Sequence, residues 1–366
     1  RTKRCFVLQV SKEPMMSLTN LFARIKPLDQ AAMAAARARQ NRLTKPAGSM
    51  GRLEEFSIQL AGITGSLNPN LTQKVVVVMA GDHGVVDEGV SAYPSEVTLQ
   101  MVLNFLQGGA AINVLSRHVG ARVVIVDMGI AAPFKPHPDL IDKKVAPGTQ
   151  NIAQGPAMSR EQAEQAILAG AAVIAEQRKK GLDMLATGDM GIGNTTPSAA
   201  IAVAVTGKPA DKICGRGTGV DDAGLMRKIT AVNKALAVNQ PNPKDGLDLL
   251  AKVGGFEIGG IAGAILAAAA AGIPVVIDGF ISTAGAIIAA LLCPQVRDYL
   301  IAGHCSEEQG HGTMLKWLEL EPVLDLNFRL GEGTGAVLTM SLVEAGSKLL
   351  NQMATFDEAG ISEKSV

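Results

Sequence analysis

Six short runs of β-branched and other apolar residues recur along the chain, at Lys74–Met79, Arg122–Asp127, Leu182–Thr187, Ile273–Ile277, Leu300–Ala302 and Leu324–Leu330. Each ends in glycine and polar side chains: Gly81-Asp82-His83-Gly84, Asp127 with Gly129, Gly188-Asp189-Met190-Gly191, Asp278-Gly279, Gly303-His304 and Gly331-Glu332-Gly333. Several runs are apolar on both alternations, as strands buried on both faces must be. Segments of helical period or Ala-rich composition lie between them, at about 94–118, 160–179, 196–205, 222–238, 257–271, 281–292 and 334–350. Alternating strands and helices predict an α/β fold, a Rossmann-like, mostly parallel sheet flanked by helices with right-handed crossovers. Ligands of such sheets bind at the carboxyl ends of the strands. Polar residues repeated at those ends therefore predict one composite active site.

Composition supports a core of small residues. Glycine numbers 40, while Trp, Tyr and Phe together number 12, so the interior must be built from Ala, Val, Ile and Leu. Lys plus Arg and Asp plus Glu are each 34, and this neutrality argues against a nucleic-acid partner, which calls for a basic face. With 47% hydrophobic and 19% charged residues, the chain is not a disordered one. Cys5, Cys214, Cys293 and Cys305 form no Cys-x-x-Cys pair, which reads as reduced thiols in a cytoplasmic protein without a zinc site. Ile258–Ile277 has no charged residue but is mostly Gly and Ala and is broken by Gly272-Ile273-Pro274. It divides into a helix, a turn and a strand, so no membrane partner is expected.

The segment 17–65 lacks strand signals and, with 334–360, predicts a small helical domain made from both chain ends. The large α/β domain then spans 66–333 and carries the site. Residues 1–15 read as an extension outside the fold.

Three glycine-rich segments carry the chemistry. Gly188-Asp-Met-Gly-Ile-Gly-Asn-Thr-Thr-Pro-Ser198 joins a strand to a helix. Thr195 or Thr196 is the expected N-cap, with Pro197 at the first helical position. Gly191 and Gly193 would let backbone amides approach an anion at the helix start. The segment is neither a Walker A loop nor a clean Gly-x-Gly-x-x-Gly. Gly215-Arg-Gly-Thr-Gly219 is a second such loop, followed by Asp221-Asp222 and Arg227-Lys228. The Asp pair compares only weakly with phosphoribosyl-diphosphate sites, because no apolar strand precedes it. In Gly331-Glu332-Gly333-Thr334-Gly335 the Glu332 carboxylate can face a ligand, where a dry pocket would raise its pKa toward that of a general base. His83 reads as well as a hydrogen-bonded structural residue. His304 and His311 lack an evident third ligand, so no metal is expected. Tyr93, Met101 and Met190 read equally as ordinary packing or as an apolar wall for a flat aromatic ligand.

Taken together the motifs resemble one family. Thr44-Lys-Pro-Ala-Gly-Ser-Met-Gly-Arg-Leu-Glu54, Ala80-Gly-Asp-His-Gly-Val85, Gly89-Val-Ser-Ala-Tyr-Pro94, Gly191-Ile-Gly-Asn-Thr-Thr196, Gly215-Arg-Gly-Thr-Gly219 and Leu330-Gly-Glu-Gly-Thr-Gly335 occur in its order, from about residue 17 to 350. The chain resembles the nicotinate-nucleotide–dimethylbenzimidazole phosphoribosyltransferases. That resemblance implies transfer of ribose 5-phosphate from nicotinate mononucleotide to 5,6-dimethylbenzimidazole, with inversion at the anomeric carbon. The products are α-ribazole 5′-phosphate and nicotinate, in cobalamin lower-ligand synthesis. It implies no metal or cofactor, and a homodimer. Glu332 matches the family's catalytic base. Asp189 stands where the family usually carries Glu, one methylene longer, so this departure bears on the substrate contact and the preferred base. Gly191, Gly193, Asn194, Gly217, Lys228 and Ser306 match nucleotide-contacting positions, with Asp278 a further polar contact. Tyr93, Met101 and Met190 match the base-pocket wall. A Rossmann dehydrogenase fails on its missing fingerprint. A non-catalytic nucleotide- or base-binding homologue, or a transferase with another preferred base, is the alternative.

Overall fold

The computed structural model of the protein describes residues 17–217 and 219–362. The extension expected over 1–15 lies outside the described residues. Seven strands form one sheet: β1 (Lys74–Gly81), β2 (Ala121–Gly129), β3 (Leu140–Asp142), β4 (Met184–Met190), β5 (Val275–Ile277), β6 (Leu300–Ser306) and β7 (Pro322–Phe328). Their order is β3-β2-β1-β4-β5-β6-β7, and each neighbouring pair is parallel. The α/β fold with a parallel sheet and flanking helices is therefore the one the alternation predicts.

The valine run of β1 shows why such strands carry no polar alternation. Val75, Val77 and Met79 belong to the apolar cluster on one face, and Val76, Val78 and Ala80 to that on the other. Both faces are covered by helices, so every residue of the strand is buried. The strand order reverses direction between β1 and β4. A crevice opens at the carboxyl ends of the strands at such a point.

Several boundaries differ from expectation. The helix expected over 94–118 is two helices, Glu96–Gln107 and Ala111–Val119, because Gly108 takes a left-handed φ of 77° and ends the first. The third strand runs later than expected and carries Asp189 within it. The last begins at Pro322 and ends at Phe328, leaving Arg329 and Leu330 beyond its end. Strand β3 and the helices Gly246–Val253 and His311–Leu318 are additions to the expected set, being too short to show a period. The helix after β4 starts at Thr195 with Asn194 at its N-cap and no side-chain cap bond, so Thr195 and Thr196 do not cap it and Pro197 is its third residue.

The small residues serve close helix packing. Helix Phe256–Ala269 is buried along its whole length and lies against helix Arg160–Lys179. A Cβ on Gly263 would fall 1.8 Å from the Ile167 carbonyl oxygen, and one on Gly170 would fall 2.0 Å from that of Gly260. Backbones approach here as no side chain would allow. Among the described residues, no helix is long and apolar enough to cross a membrane.

The chain ends meet. Ala36, Ala61 and Leu350 form a small apolar cluster, Leu43 bridges to Thr355, and Arg39 donates to the Leu350 carbonyl at 2.7 Å. Helix Thr334–Gln352 reaches both regions: Ala336, Val337 and Met340 pack with the sheet, and Leu350 with the N-terminal helices.

Gly263→Ala is expected to lower stability by about 1–3 kcal/mol or more through overpacking. Gly312→Ala, in a helix with open space at its Cβ position, is expected to raise it by up to about 1 kcal/mol. Denaturant midpoints at constant slope check both.

Candidate active site

The carboxyl ends of β4, β5, β6 and β7 surround a cleft of about 750 Å³, within the ordinary range for small-molecule sites. Of the residues singled out from the sequence, Asp189, Glu332, Gly191, Asn194, Gly217, Ser306, Tyr93, Met101 and Met190 line it. Gly193, Lys228 and Asp278 do not; they stand behind the lining.

Glu332 is held in an unusual conformation. It has a φ of 62° between Gly331 at 84° and Gly333 at 97°. A left-handed non-glycine residue costs on the order of 1–3 kcal/mol and persists only where its surroundings fix it. Here they do. The Glu332 carbonyl oxygen lies 2.3 Å from where a Cβ on Gly188 would sit, so the turn rests directly on the β4 backbone. Buried Asp278, at the end of β5, accepts from the amides of Gly333 (3.2 Å), Gly335 (2.8 Å) and Ala336 (2.9 Å). These are the amides a helix start leaves without partners. Asp278 thus ties down the turn and the helix after it.

The Glu332 carboxylate accepts from the Ile112 amide at 3.2 Å, at the N-terminus of helix Ala111–Val119. Burial raises its pKa, the Ile112 bond works against that rise, and nearby Asp278 adds to it. Asp189, at the end of β4, is raised well above the ordinary carboxyl range, first by burial and then by Asp278; its bond from the Asn194 side-chain amide at 2.9 Å opposes the rise. Glu257 and Glu332 push it further the same way. A position 3.3 Å from both Asp189 carboxylate oxygens is that of a Cβ on Gly331, so Asp189 abuts the turn that carries Glu332.

Lys228 is buried behind the second glycine loop, where it donates to Thr195 Oγ1 (2.9 Å) and the Gly215 carbonyl (3.0 Å). Burial lowers its pKa, and the Glu308 charge counters that. Gly217, at φ 54°, has its Cβ position 3.0 Å from Lys228 Nζ, so a glycine there leaves the ammonium close to the lining. The neighbouring acids Asp221 and Asp222 face elsewhere. Asp221 caps helix Asp222–Asn239 through the Gly224 amide, and Asp222 pairs with Arg216. Tyr93, Val97, Met101, Leu115 and Met190 make an apolar wall.

His83 pairs with Glu257 at 2.8 Å, wholly buried behind Gly191. Burial alone would lower the His83 pKa; Glu257 outweighs it, and the net shift is upward. Glu257 carries no signal in the sequence because it opens an otherwise apolar helix. His304 lines the cleft beside Phe328, with ring centroids 5.8 Å apart. His311 is fixed as a neutral ring, its Nδ1 accepting from the Ser306 amide at 2.9 Å and its pKa pushed down to about 3 by burial and His304. Glu308 and Arg329 also line the cleft, outside the motifs that mark the other site residues. Among the described residues, no three His, Cys, Asp or Glu side chains converge as a metal ligand set.

Comparisons with known proteins agree with this geometry. The sequence profile of a family described as Phosphoribosyltransferase matches residues 25–361. A nicotinate-nucleotide–dimethylbenzimidazole phosphoribosyltransferase of Roseiflexus sp. (strain RS-1) is 61% identical over 350 residues, covering 96% of this chain and 99% of its own. One of Chloroflexus aggregans is 60% identical over 350 residues with the same coverage. The crystal structure of the Thermus thermophilus protein of that name has a TM-score of 0.88 at 49% identity, covering 92% of this chain and 100% of the other.

The raised Asp189 pKa has a consequence for stability. The folded protein holds that proton more tightly than the unfolded chain, so stability falls as pH rises from the ordinary carboxyl pKa of about 4 through the folded value. Asp189→Asn removes this loss. Thermal unfolding of the variant is expected to match wild type near pH 4 and to exceed it increasingly as pH rises, by about 1.4 kcal/mol per pH unit until the folded pKa is reached.

Proposed function

The chain belongs to the nicotinate-nucleotide–dimethylbenzimidazole phosphoribosyltransferase family, and from that premise we propose how its residues divide the work. The protein transfers the ribose 5-phosphate of nicotinate mononucleotide to 5,6-dimethylbenzimidazole, giving α-ribazole 5′-phosphate and nicotinate, the chemistry of cobalamin lower-ligand synthesis. Glu332 is the general base. It takes the N–H proton of the benzimidazole as the other ring nitrogen bonds to the anomeric carbon. The C–N bond to nicotinate breaks on the opposite face, and nicotinate leaves with the bonding pair, so the centre inverts.

The observation that carries this reading is the Glu332 carboxylate itself. It lines the cleft on a strained turn, is anchored through one oxygen to Ile112, and has a proton affinity raised by burial. A base poised nearer neutrality than an exposed glutamate suits proton transfer in the cell's pH range. Asp189, whose proton affinity burial and its acidic neighbours raise well above the ordinary carboxyl range, stands beside it to share a hydrogen bond at the reacting end. Lys228, Gly191, Gly193 and Gly217 receive the phosphate, with Asn194 and Ser306 on the nucleotide and Asp278 acting through the turn it holds. Tyr93, Met101 and Met190 hold the flat base.

The same reading covers the organisation of the chain. Residues 17–65 with 334–360 form a small helical unit beside a large α/β unit over 66–333, supported by the contacts between the two ends. The protein works as a cytoplasmic homodimer. Exposed Leu103 and Val114 offer apolar surface for such an interface, and Cys214, Cys293 and Cys305 are free thiols.

Incubation with nicotinate mononucleotide and 5,6-dimethylbenzimidazole is expected to give both products, separated by mass. Glu332→Gln is expected to lower kcat by about 10²–10⁴-fold while nicotinate mononucleotide still binds. Binding by wild type without turnover, over a panel of bases, would instead establish the non-catalytic alternative.

A further inference from the structure

Three carboxylates line the cleft: Asp189, Glu332 and Glu308. The first two face the reacting end. Glu308 lies in the polar stretch after β6, beside the second glycine loop, and nothing in the transfer chemistry yet uses it. It is 7% exposed, and among the described residues its Oε2 has no hydrogen-bond partner. Its place is fixed from two sides. The Glu308 amide donates to Ser306 Oγ at 3.3 Å, and Oε2 lies 2.3 Å from the Cβ position of Gly215, whose carbonyl accepts from Lys228 at 3.0 Å. Oε2 is therefore enclosed against the cationic glycine loop, and Glu308 lines the same cleft.

A buried carboxylate oxygen without a donor is costly. In a ligand cleft, that cost is recovered when the ligand brings the donor. Granting the reading above, the substrates offer few. The phosphate and the nicotinate carboxylate accept hydrogen bonds, and the benzimidazole N–H belongs to Glu332. The remaining donors are the 2′- and 3′-hydroxyls of the ribose, which joins the phosphate to the reacting carbon. We propose that Glu308 binds the ribose diol and makes the site selective for ribonucleotides over deoxyribonucleotides. It is a specificity residue: no bond to be made or broken involves it. The inference rests on the assignment of nicotinate mononucleotide as donor substrate.

The test crosses wild type and two variants with two kinds of substrate. Wild type and Glu308→Ala, with Glu308→Gln as the variant that keeps the shape, are titrated calorimetrically with nicotinate mononucleotide and with its 2′-deoxy and 3′-deoxy analogues. kcat/KM toward α-ribazole phosphate is measured in parallel. Comparing the same analogue on wild type and variant cancels any difference in its intrinsic reactivity. Wild type is expected to bind at least one deoxy analogue about 10–100-fold more weakly than the parent, the range of a hydrogen bond to a charged group. Glu308→Ala is expected to lose that discrimination, binding the parent about as weakly as wild type binds the analogue, and Glu308→Gln, whose amide oxygen still accepts but carries no charge, to keep only part of it. Equal weakening of parent and analogues in both variants overturns the proposal and assigns Glu308 to holding the loop or the Lys228 charge. Turnover with no such coupling likewise overturns it and leaves the transfer reading intact. Coupling in binding without turnover upholds it and overturns the transfer reading.

Discussion

The site depends on one backbone contact, the seating of the Gly331–Gly333 turn on Gly188 of β4. No side chain separates the two segments, because a Cβ at Gly188 would meet the Glu332 carbonyl oxygen and one at Gly333 would fall 2.8 Å from Val76. A Cβ on Gly331 would fall 3.3 Å from the Asp189 oxygens, and the turn sends its own carboxylate to the Ile112 amide. Strand β4, the chain beyond β7 and the helix that precedes β2 are thereby fixed to one another. The strain at Glu332 is sustained by this seating and by the three amide bonds to Asp278. A rigid scaffold that fixes one strained acid is the arrangement preorganisation requires.

A second constraint is charge. Asp82, Asp127, Asp189, Asp278 and Glu332 all have raised pKa values, each chiefly through burial. All stand at or near the carboxyl ends of β1, β2, β4, β5 and β7. Such a ring of acids is expensive unless protons or cations neutralise it. Lys144 pairs with Asp127 at 3.2 Å, and His83 with Glu257 at 2.8 Å. Asp278 draws on backbone amides, while Asp189 has, among the described residues, only the Asn194 side-chain amide to oppose its raised pKa. The carboxylates differ in proton affinity because their partners differ, which is how one fold can set neighbouring acids apart.

Much of this is legible in the sequence where the signal is local. The valine run of β1 and the polar residues after each strand point to a parallel sheet with its site at one edge, and the structure has that sheet. Gly-Glu-Gly at 331–333 marks Glu332 because an acid between glycines is rarely explained by helix or strand. Signals that depend on tertiary context stay hidden. Asp278 reads as another strand-end acid, and only the return of the chain past residue 330 shows that it caps helix Thr334–Gln352. Glu257 reads as the first-turn acid of an apolar helix, and its pairing with His83 spans 174 positions. Glu308 lies within a polar stretch whose histidines carry the stronger signal. Strand β3 has three residues, too few for any period to show.

Asp189 joins the two constraints. Compared with the glutamate usual at this position in the resembling family, its carboxylate is shorter by one methylene, about 1.5 Å of reach. In this chain that carboxylate bonds Asn194 of its own loop at 2.9 Å and abuts Gly331, so its position is set by the β4 loop and the Glu332 turn together. A shorter acid leaves more room in the cleft where Met190, Tyr93 and Met101 form part of the apolar wall. Burial, with Asp278, Glu257 and Glu332 nearby, raises the acid's pKa. The difference from glutamate is therefore one of reach and space beside the apolar wall, with the carboxyl group itself kept. Selectivity among ligands in general follows from pocket shape of this kind, whereas the strained turn fixes where the Glu332 carboxylate stands.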